Sequence, residues 1–368
     1  MRILFAGGGT GGHVYPALAV AELLTKRDSN TKILFVGTER GLERDLVSKA
    51  GFRLKTIPAA GLKRRLTWAN VRMLKSNVQG FLQSLKIVRQ FRPQVVVGTG
   101  GYVAVPVVMA AAWLRIPILL HEQNALPGLA NRWLSRFASC VAVSYDQAVP
   151  YFSRAKRVIV SGNPVRPGVW QKTRQEGRYN MGLPDNVRLV LVFGGSRGAR
   201  PITEAALTAA TSLLTDPELV LLVVTGTSDF VTIEEKVCRL GIQAALEGKM
   251  LIRPYLYNMD DALAAADVVV TRAGATTLAE ITARGIGAVL IPSPYVTANH
   301  QEHNARALAD KGAAVMIRQQ DLTGDLLAKT IKGLLADPDG LAAMEASARA
   351  LGRRSAAQTL VEQIIKLT

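Results

Sequence analysis

Short apolar runs recur along this 368-residue chain. Each ends in a polar or glycine-rich turn and leads into a longer segment whose apolar residues fall on one helical face. The runs are continuous rather than alternating, as in strands covered on both faces. In the first half this pattern predicts strands at residues 2–6, 32–37, 54–57, 94–97, 116–120, 140–143 and 158–160, with helices at 16–27, 42–50, 68–91, 106–114, 129–137 and 146–152. In the second half it predicts strands near 188–193, 219–224, 250–252, 267–270, 288–291 and 314–317, helices between them, and closing helical segments at 340–350 and 356–367. Strand and helix alternate twice over, which predicts an α/β protein of two doubly wound parallel sheets. The stretch Ser161-Gly162-Asn163-Pro164-Val165-Arg166-Pro167 reads as the linker. The expected domains are therefore 1–163 and 164–340, with the helices of 341–368 packing back toward the first. Residues 93–114 carry no charge and are long enough to span a bilayer, but Gly98, Gly100, Gly101 and Pro106 interrupt them. They read as a buried strand, a loop and a buried helix.

Two turns stand out. Phe5-Ala6-Gly7-Gly8-Gly9-Thr10-Gly11-Gly12-His13 follows the first strand, and the next helix is expected to start at Pro16, where a missing N–H costs nothing. Gly194-Gly195-Ser196-Arg197-Gly198-Ala199 repeats the arrangement about half a chain later. Backbone N–H groups and a helix N-terminus then converge on one point, without Cβ atoms in the way, and the matching ligand is a phosphate or another electron-rich group. The first turn also satisfies G-x-G-x-x-G, and Glu39 lies where a ribose-binding acid of a nicotinamide dehydrogenase would fall. The repeated nucleotide-type turn argues against that alternative. In doubly wound sheets ligands bind beyond the carboxyl ends of the strands. The first glycine turn, Gly98–Gly101 and His121-Glu122-Gln123-Asn124 should therefore line one rim.

Charge sharpens the picture. The net charge is +17, and residues 1–163 hold 23 Lys/Arg against 7 Asp/Glu, while the remainder is nearly balanced. From Leu46 to His121 there are 12 Lys/Arg and no acid. A polyanionic partner for the first half follows, a nucleic acid or an anionic membrane surface. No zinc finger, aromatic RNA-binding motif or helix-turn-helix accompanies the charge, so no nucleic-acid partner is expected. The two cysteines, Cys140 and Cys238, lack metal-ligand spacing. Met1-Arg2 leads straight into a strand, so no signal peptide is expected.

Further motifs carry chemistry. Thr277 and Glu280 have capping-box spacing, so Glu280 either caps its helix or accepts hydrogen bonds from a ribose diol. His300 and His303 flank Glu302, but without the H-E-x-x-H pattern a solvent-facing helix start is the better reading, with Gln301 or Asn299 available for sugar hydroxyls.

Taken in order, Gly7 to Pro16, His121 to Asn124, Gly162 to Arg166, Gly194 to Ala199, Arg272-Ala273-Gly274-Ala275-Thr276-Thr277-Leu278-Ala279-Glu280 and His300-Gln301 resemble the MurG family of bacterial peptidoglycan glycosyltransferases over nearly the whole chain. The resemblance implies a GT-B fold, two Rossmann-like doubly wound parallel-sheet domains facing across a cleft. It implies inverting transfer of N-acetylglucosamine from UDP-N-acetylglucosamine to the muramyl sugar of lipid I (undecaprenyl-diphosphate-muramyl-pentapeptide), giving lipid II, with no cofactor and no metal. It puts Ser196 on the diphosphate, Arg166 on the nucleotide, the Leu256 backbone on uracil, and Ala275, Thr276, Thr277, Leu278 and Ala279 around phosphate and ribose. Glu280 would take the ribose hydroxyls and Gln301 the sugar, with Thr10, Gly11, Gly12 and Asn124 closing onto the donor. Arg197 stands where many relatives carry Gln, which puts any side-chain contact there in doubt. A UDP-N-acetylglucosamine epimerase of the same fold is the nearest competing enzyme.

The displacement needs a base. His13, in the glycine turn and with an ordinary pKa near neutrality, is the first choice, and Glu122 the second. A prenyl-linked acceptor stays in the bilayer, so the chain is expected at the cytoplasmic face of the cell membrane as a peripheral protein. Lys63, Arg64, Arg65, Leu66 and Trp68 are the expected docking residues.

Overall fold

A computed structural model describes residues 1–39, 43–61, 68–195, 198–239 and 248–368. The chain divides into two units, Met1–Val165 with Ser355–Thr368, and Arg166–Arg354. The division falls just past Asn163, and the C-terminal segment is shared. Helix Pro338–Leu351 stays with the second unit: it buries only Ala348 and is pinned by Arg349, which donates to the Gly285 carbonyl at 3.3 Å. Helix Ala356–Leu367 belongs to the first unit because Leu360, Val361 and Ile364 bury themselves in the same core as Val14, Ala17 and Leu18.

The first unit is a parallel sheet of β1 (Arg2–Gly7), β2 (Lys32–Gly37), β3 (Arg53–Thr56), β4 (Val95–Gly100), β5 (Ile118–Glu122), β6 (Cys140–Val143) and β7 (Val158–Val160), in the order β3-β2-β1-β4-β5-β6-β7. Alternate residues of each strand feed opposite faces. Leu4, Ala6, Leu34, Val36, Val96, Leu120 and Val141 pack under helices Trp68–Phe91 and Ala104–Trp113. Ile3, Phe5, Ile33, Phe35, Val95, Val97 and Leu119 pack under helices Gly11–Arg27 and Ala356–Leu367. At about 1.5–3 kcal/mol per fully buried large apolar side chain, the two faces together dominate the stability of this unit. Residues 93–114 are the buried β4, its loop and a buried helix, and no helix among the described residues is long and apolar enough to cross a membrane.

The second unit is built alike from β8 (Arg188–Phe193), β9 (Leu219–Val224), β10 (Met250–Arg253), β11 (Val268–Thr271), β12 (Gly287–Leu290) and β13 (Val315–Met316), in the order β10-β9-β8-β11-β12-β13, all parallel. In each sheet the winding reverses once, at β1/β4 and at β8/β11. Connections leave the two strands there in opposite directions and open a crevice at their carboxyl ends. Both glycine turns sit at those points.

Candidate active site

In the first unit the register between β1 and β4 slips after Ala6, so that Gly7 pairs with Gly100 and the two turns diverge. The helix after the first turn starts at Gly11, with Thr10 as N-cap, and not at Pro16 as the sequence suggests. Pro16 lies inside it, where the N–H it lacks would have faced the Gly12 carbonyl. Gly11, Gly12 and His13 therefore belong to the first turn of the helix, and His13 projects from there. Its Nδ1 lies 3.0 Å from the Gly8 carbonyl oxygen and 3.3 Å from Thr10 Oγ1. A carbonyl only accepts, so Nδ1 carries the hydrogen and the neutral ring has its lone pair on Nε2. Gly100 keeps the ring edge clear: a Cβ there would lie 2.9 Å from His13 Cδ2.

His121 and Glu122 end β5 and are both buried. The His121 Nε2–H donates to the Gly162 carbonyl at 3.1 Å, and Nδ1 accepts from the Gln123 amide at 3.1 Å. Burial pushes its pKa down to about 4, so the ring is neutral and ties the end of the sheet to the segment after β7. Glu122 accepts from the Asn124 backbone N–H (3.0 Å) and side-chain amide (3.1 Å), the Gly128 N–H (3.1 Å) and the Asn131 amide (2.9 Å). Its carboxylate organises the loop that presents Asn124.

In the second unit, helices Arg200–Leu213 and Ala275–Arg284 begin at the switch point. The first follows the turn after β8, where Gly198 has φ +75 and a Cβ would strike the Thr225 carbonyl. The second has Gly274 as N-cap and no side-chain cap. The Thr277–Glu280 spacing is thus out of phase with the helix start: Thr277 lies in the first turn and Glu280 in the second, and neither caps. The N–H groups of Ala275, Thr276 and Thr277 are left for a ligand, since the first internal bond runs from the Leu278 N–H to the Gly274 carbonyl. The Thr276 hydroxyl is buried with no hydrogen-bond partner among the described residues. Although Glu280 as a residue is only half-buried, its carboxyl is desolvated and pushed up to about 7; exposed Arg166 opposes the shift and Asp260 adds to it.

Within residues 3–143 the chain matches the N-terminal domain of glycosyltransferase family 28, and within residues 189–360 the C-terminal domain of the same family. The chain belongs to glycosyltransferase family 28. Two family relatives are the UDP-N-acetylglucosamine–N-acetylmuramyl-(pentapeptide) pyrophosphoryl-undecaprenol N-acetylglucosamine transferases of Desulforamulus reducens and Moorella thermoacetica. They are 45% and 46% identical to this chain, covering 100% of it and 99% of each relative. Among solved structures, MurG of Acinetobacter baumannii matches with TM-score 0.76 and 29% identity over 99% of both chains. The Neisseria meningitidis UDP-GlcNAc 2-epimerase bound to UDP-GlcNAc matches with TM-score 0.69 over 100% of both chains, but at 15% identity it shares the fold alone. The two parallel-sheet units are thus the GT-B fold of the family.

The other positions singled out in the sequence fall as follows. Leu256 is buried in the turn after β10, and the rings of its chain neighbours Tyr255 and Tyr257 pack edge to face on each other. Gln301 lies in the first turn of helix His300–Ala309, and its Oε1 accepts the Ser293 N–H at 2.9 Å, which leaves the amide NH₂ as donor. Glu302 is taken by Arg306 and Asn299, and His300 Nδ1 donates to the Thr297 carbonyl at 2.8 Å. Arg272 spans from the end of β11 to the Ile291 carbonyl (3.0 Å) and Gln319 (2.6 Å), bracing the rim. Ser196, Lys63, Arg64, Arg65 and Leu66 lie outside the described residues, and Trp68 is described only as the first residue of its helix. Sequence reasoning missed Glu43, which is buried and bonds the Gly9 N–H at 3.1 Å. Of its partners, Thr38 is near in sequence but forms no recognised motif with it, and the Gly9 N–H is brought near only by the β1–β2 pairing, so no motif announced it.

Proposed function

We propose that this chain transfers N-acetylglucosamine from UDP-N-acetylglucosamine to the muramyl sugar of lipid I, forming lipid II for peptidoglycan synthesis. The observation that carries the reading is the end-to-end match at 45–46% identity to relatives named for this transfer.

The reaction is a single displacement. The acceptor oxygen bonds to the anomeric carbon as the bond from that carbon to the diphosphate breaks; the hydroxyl proton passes to His13 Nε2, and the leaving electron pair stays on UDP. The lone pair assigned to Nε2 by the Nδ1–Gly8 bond supports His13 as the base. The developing charge on the diphosphate meets the uncapped N-terminus of helix Ala275–Arg284, the Thr276 hydroxyl and the turn after β8. Ser196 belongs to that turn. Thr277, Leu278 and Ala279 flank phosphate and ribose, Glu280 accepts from the ribose hydroxyls, and Arg166 draws the nucleotide. Leu256 receives uracil on its backbone and Gln301 donates to the sugar. On the first unit, Thr10, Gly11, Gly12 and Asn124 serve the donor. The acceptor's prenyl chain holds it in the bilayer, so the enzyme works as a peripheral protein on the anionic cytoplasmic surface.

Incubation with radiolabelled UDP-N-acetylglucosamine and a water-soluble lipid I analogue should move label onto the acceptor. Absence of transfer by a folded, UDP-binding protein would overturn the reading.

A further inference from the structure

The first glycine turn is held from behind by a carboxylate. Glu43 opens the short helix Glu43–Lys49 and is 1% exposed. One oxygen accepts from the Thr38 N–H and hydroxyl, both at 2.8 Å, and the other from the Gly9 N–H at 3.1 Å. Its side chain fills the room left by two glycines: a Cβ on Gly8 would lie 2.4 Å from Glu43 Oε1, and one on Gly37 2.4 Å from its Cγ. The Gly9 N–H and the Gly8 C=O belong to one peptide unit, and in a trans peptide they point opposite ways. That carbonyl is the group His13 Nδ1 addresses at 3.0 Å.

We propose that Glu43 is a positioning residue for His13, acting through the Gly8–Gly9 peptide: the carboxylate holds the N–H, and the carbonyl of the same peptide holds the imidazole Nδ1–H. The inference rests on the reading of His13 as the base. The relay does what a carboxylate bonded directly to a catalytic histidine does, fixing the tautomer with Nε2 toward the substrate and stabilising the imidazolium that forms. A buried chain of hydrogen bonds polarises each link, so the charge is felt across the amide. Among the described residues, the carboxylate bonded to the turn is that of Glu43. His121 is neutral, Glu122 is engaged by Asn124, Gly128 and Asn131, and Tyr102 and Tyr15 lie beside Gly9 and Gly11 as rings.

Glu43→Gln conserves volume and can still accept from Thr38, but turns an NH₂ toward the Gly9 N–H. With the soluble acceptor, kcat should fall roughly 10- to 100-fold, the loss expected for one charge-assisted hydrogen bond. The affinity for UDP should fall less than kcat does, since most of the proposed donor residues lie on the second unit. The acidic limb of the kcat profile should move to lower pH, because an imidazolium without its carboxylate loses its proton more easily. In a His13→Ala background, Glu43→Gln should cost less than about twofold. An equal loss in both backgrounds, or an unmoved acidic limb, would reduce Glu43 to a structural staple and overturn the inference. Turnover surviving in His13→Ala alone would instead sink the base reading. If Glu43→Gln does not fold, the ¹⁵N shifts of the native protein still decide. Its 4 histidines give few signals, and neutral His13 must be the Nδ1–H tautomer; finding Nε2–H overturns the proposal.

Discussion

Glu280 is the residue at which stability and ligand binding pull apart. Its carboxyl, pushed up to about 7 by desolvation, holds more protons folded than unfolded between pH 4.5 and 7. Folding stability from this group therefore falls as pH rises through that window and stays lower above it. Glu280→Gln does not ionise, so the ligand-free variant should melt above the wild type at pH 8, with the difference vanishing below about pH 4.5. His121 works in the opposite sense, its stability being lost as pH falls from 6.5 toward 4, so the comparison must be made between variant and wild type at each pH. A carboxylate accepts from a ribose diol better than a carboxylic acid does. Calorimetry with UDP-N-acetylglucosamine should thus show affinity rising from pH 6 to 8 in the wild type, and weaker, flat affinity in Glu280→Gln. A pH-independent wild type would place the ribose elsewhere. The residue types of this site were legible in the sequence, but their roles depended on frame. Thr277 and Glu280 have the spacing of a cap, and only the start of the helix at Ala275 tells that they are not one. Glu122 stood at the right rim, yet its donors come from a loop whose path no spacing reveals.

Elements were more legible than roles, because burial writes itself into continuous apolar runs. The helix Trp68–Phe91 and the strands at 32–37, 140–143, 188–193 and 219–224 fall where the pattern puts them. Boundaries moved where glycine or proline decides. The helix through Pro16 begins five residues earlier, at Gly11, since glycines lack the side-chain pattern by which a helix is recognised. The uncapped helix Ala275–Arg284 yields a test at this scale. Gly274 has φ −71 and ψ 137, which any residue adopts, and the nearest atom to an added Cβ is Thr277 Oγ1 at 3.9 Å. Gly274→Asp would therefore fit and supply the missing cap, adding about 0.5–1 kcal/mol through the cap bond and the helix dipole. It would also occupy the N–H groups with a charge of the wrong sign. We expect a higher melting temperature together with roughly tenfold or greater loss of UDP-N-acetylglucosamine affinity. Gly274→Ser, a cap without charge, should lose less. Undiminished binding in the Asp variant would mean that the diphosphate does not sit at this helix.

At the scale of the molecule, two α/β units and a lopsided charge could be read directly, since both are sums over many residues and tolerate local error. The closing helices were expected to go together to the first unit, but only Ala356–Leu367 does, through Leu360, Val361 and Ile364, while Pro338–Leu351 stays with the second; which core each takes is a matter of tertiary packing. The charge asymmetry carries the last prediction. Between residues 62 and 92 the chain has Lys63, Arg64, Arg65, Arg72, Lys75, Lys86, Arg89 and Arg92 and no acid. An ordinary amphipathic helix with a solvated basic face would also have this composition, and Phe81 and Leu85 do pack on the core. Along the same helix Val78 and Leu82 are exposed, and apolar side chains beside cations are what an interfacial segment would use. Each basic residue near an anionic leaflet contributes on the order of 1 kcal/mol, so four or five suffice for reversible binding, with Trp68 as an interfacial anchor. Screening weakens that attraction as the Debye length falls from about 10 Å at 0.1 M salt to about 3 Å at 1 M. The protein should therefore sediment with anionic liposomes at low salt and be largely released at high salt. Replacing Lys63, Arg64, Arg65 and Trp68 together should weaken sedimentation and slow turnover on bilayer-embedded acceptor while sparing a soluble analogue. Equal losses on both acceptors would assign the segment to folding or to the site itself, and membrane docking through it would fail.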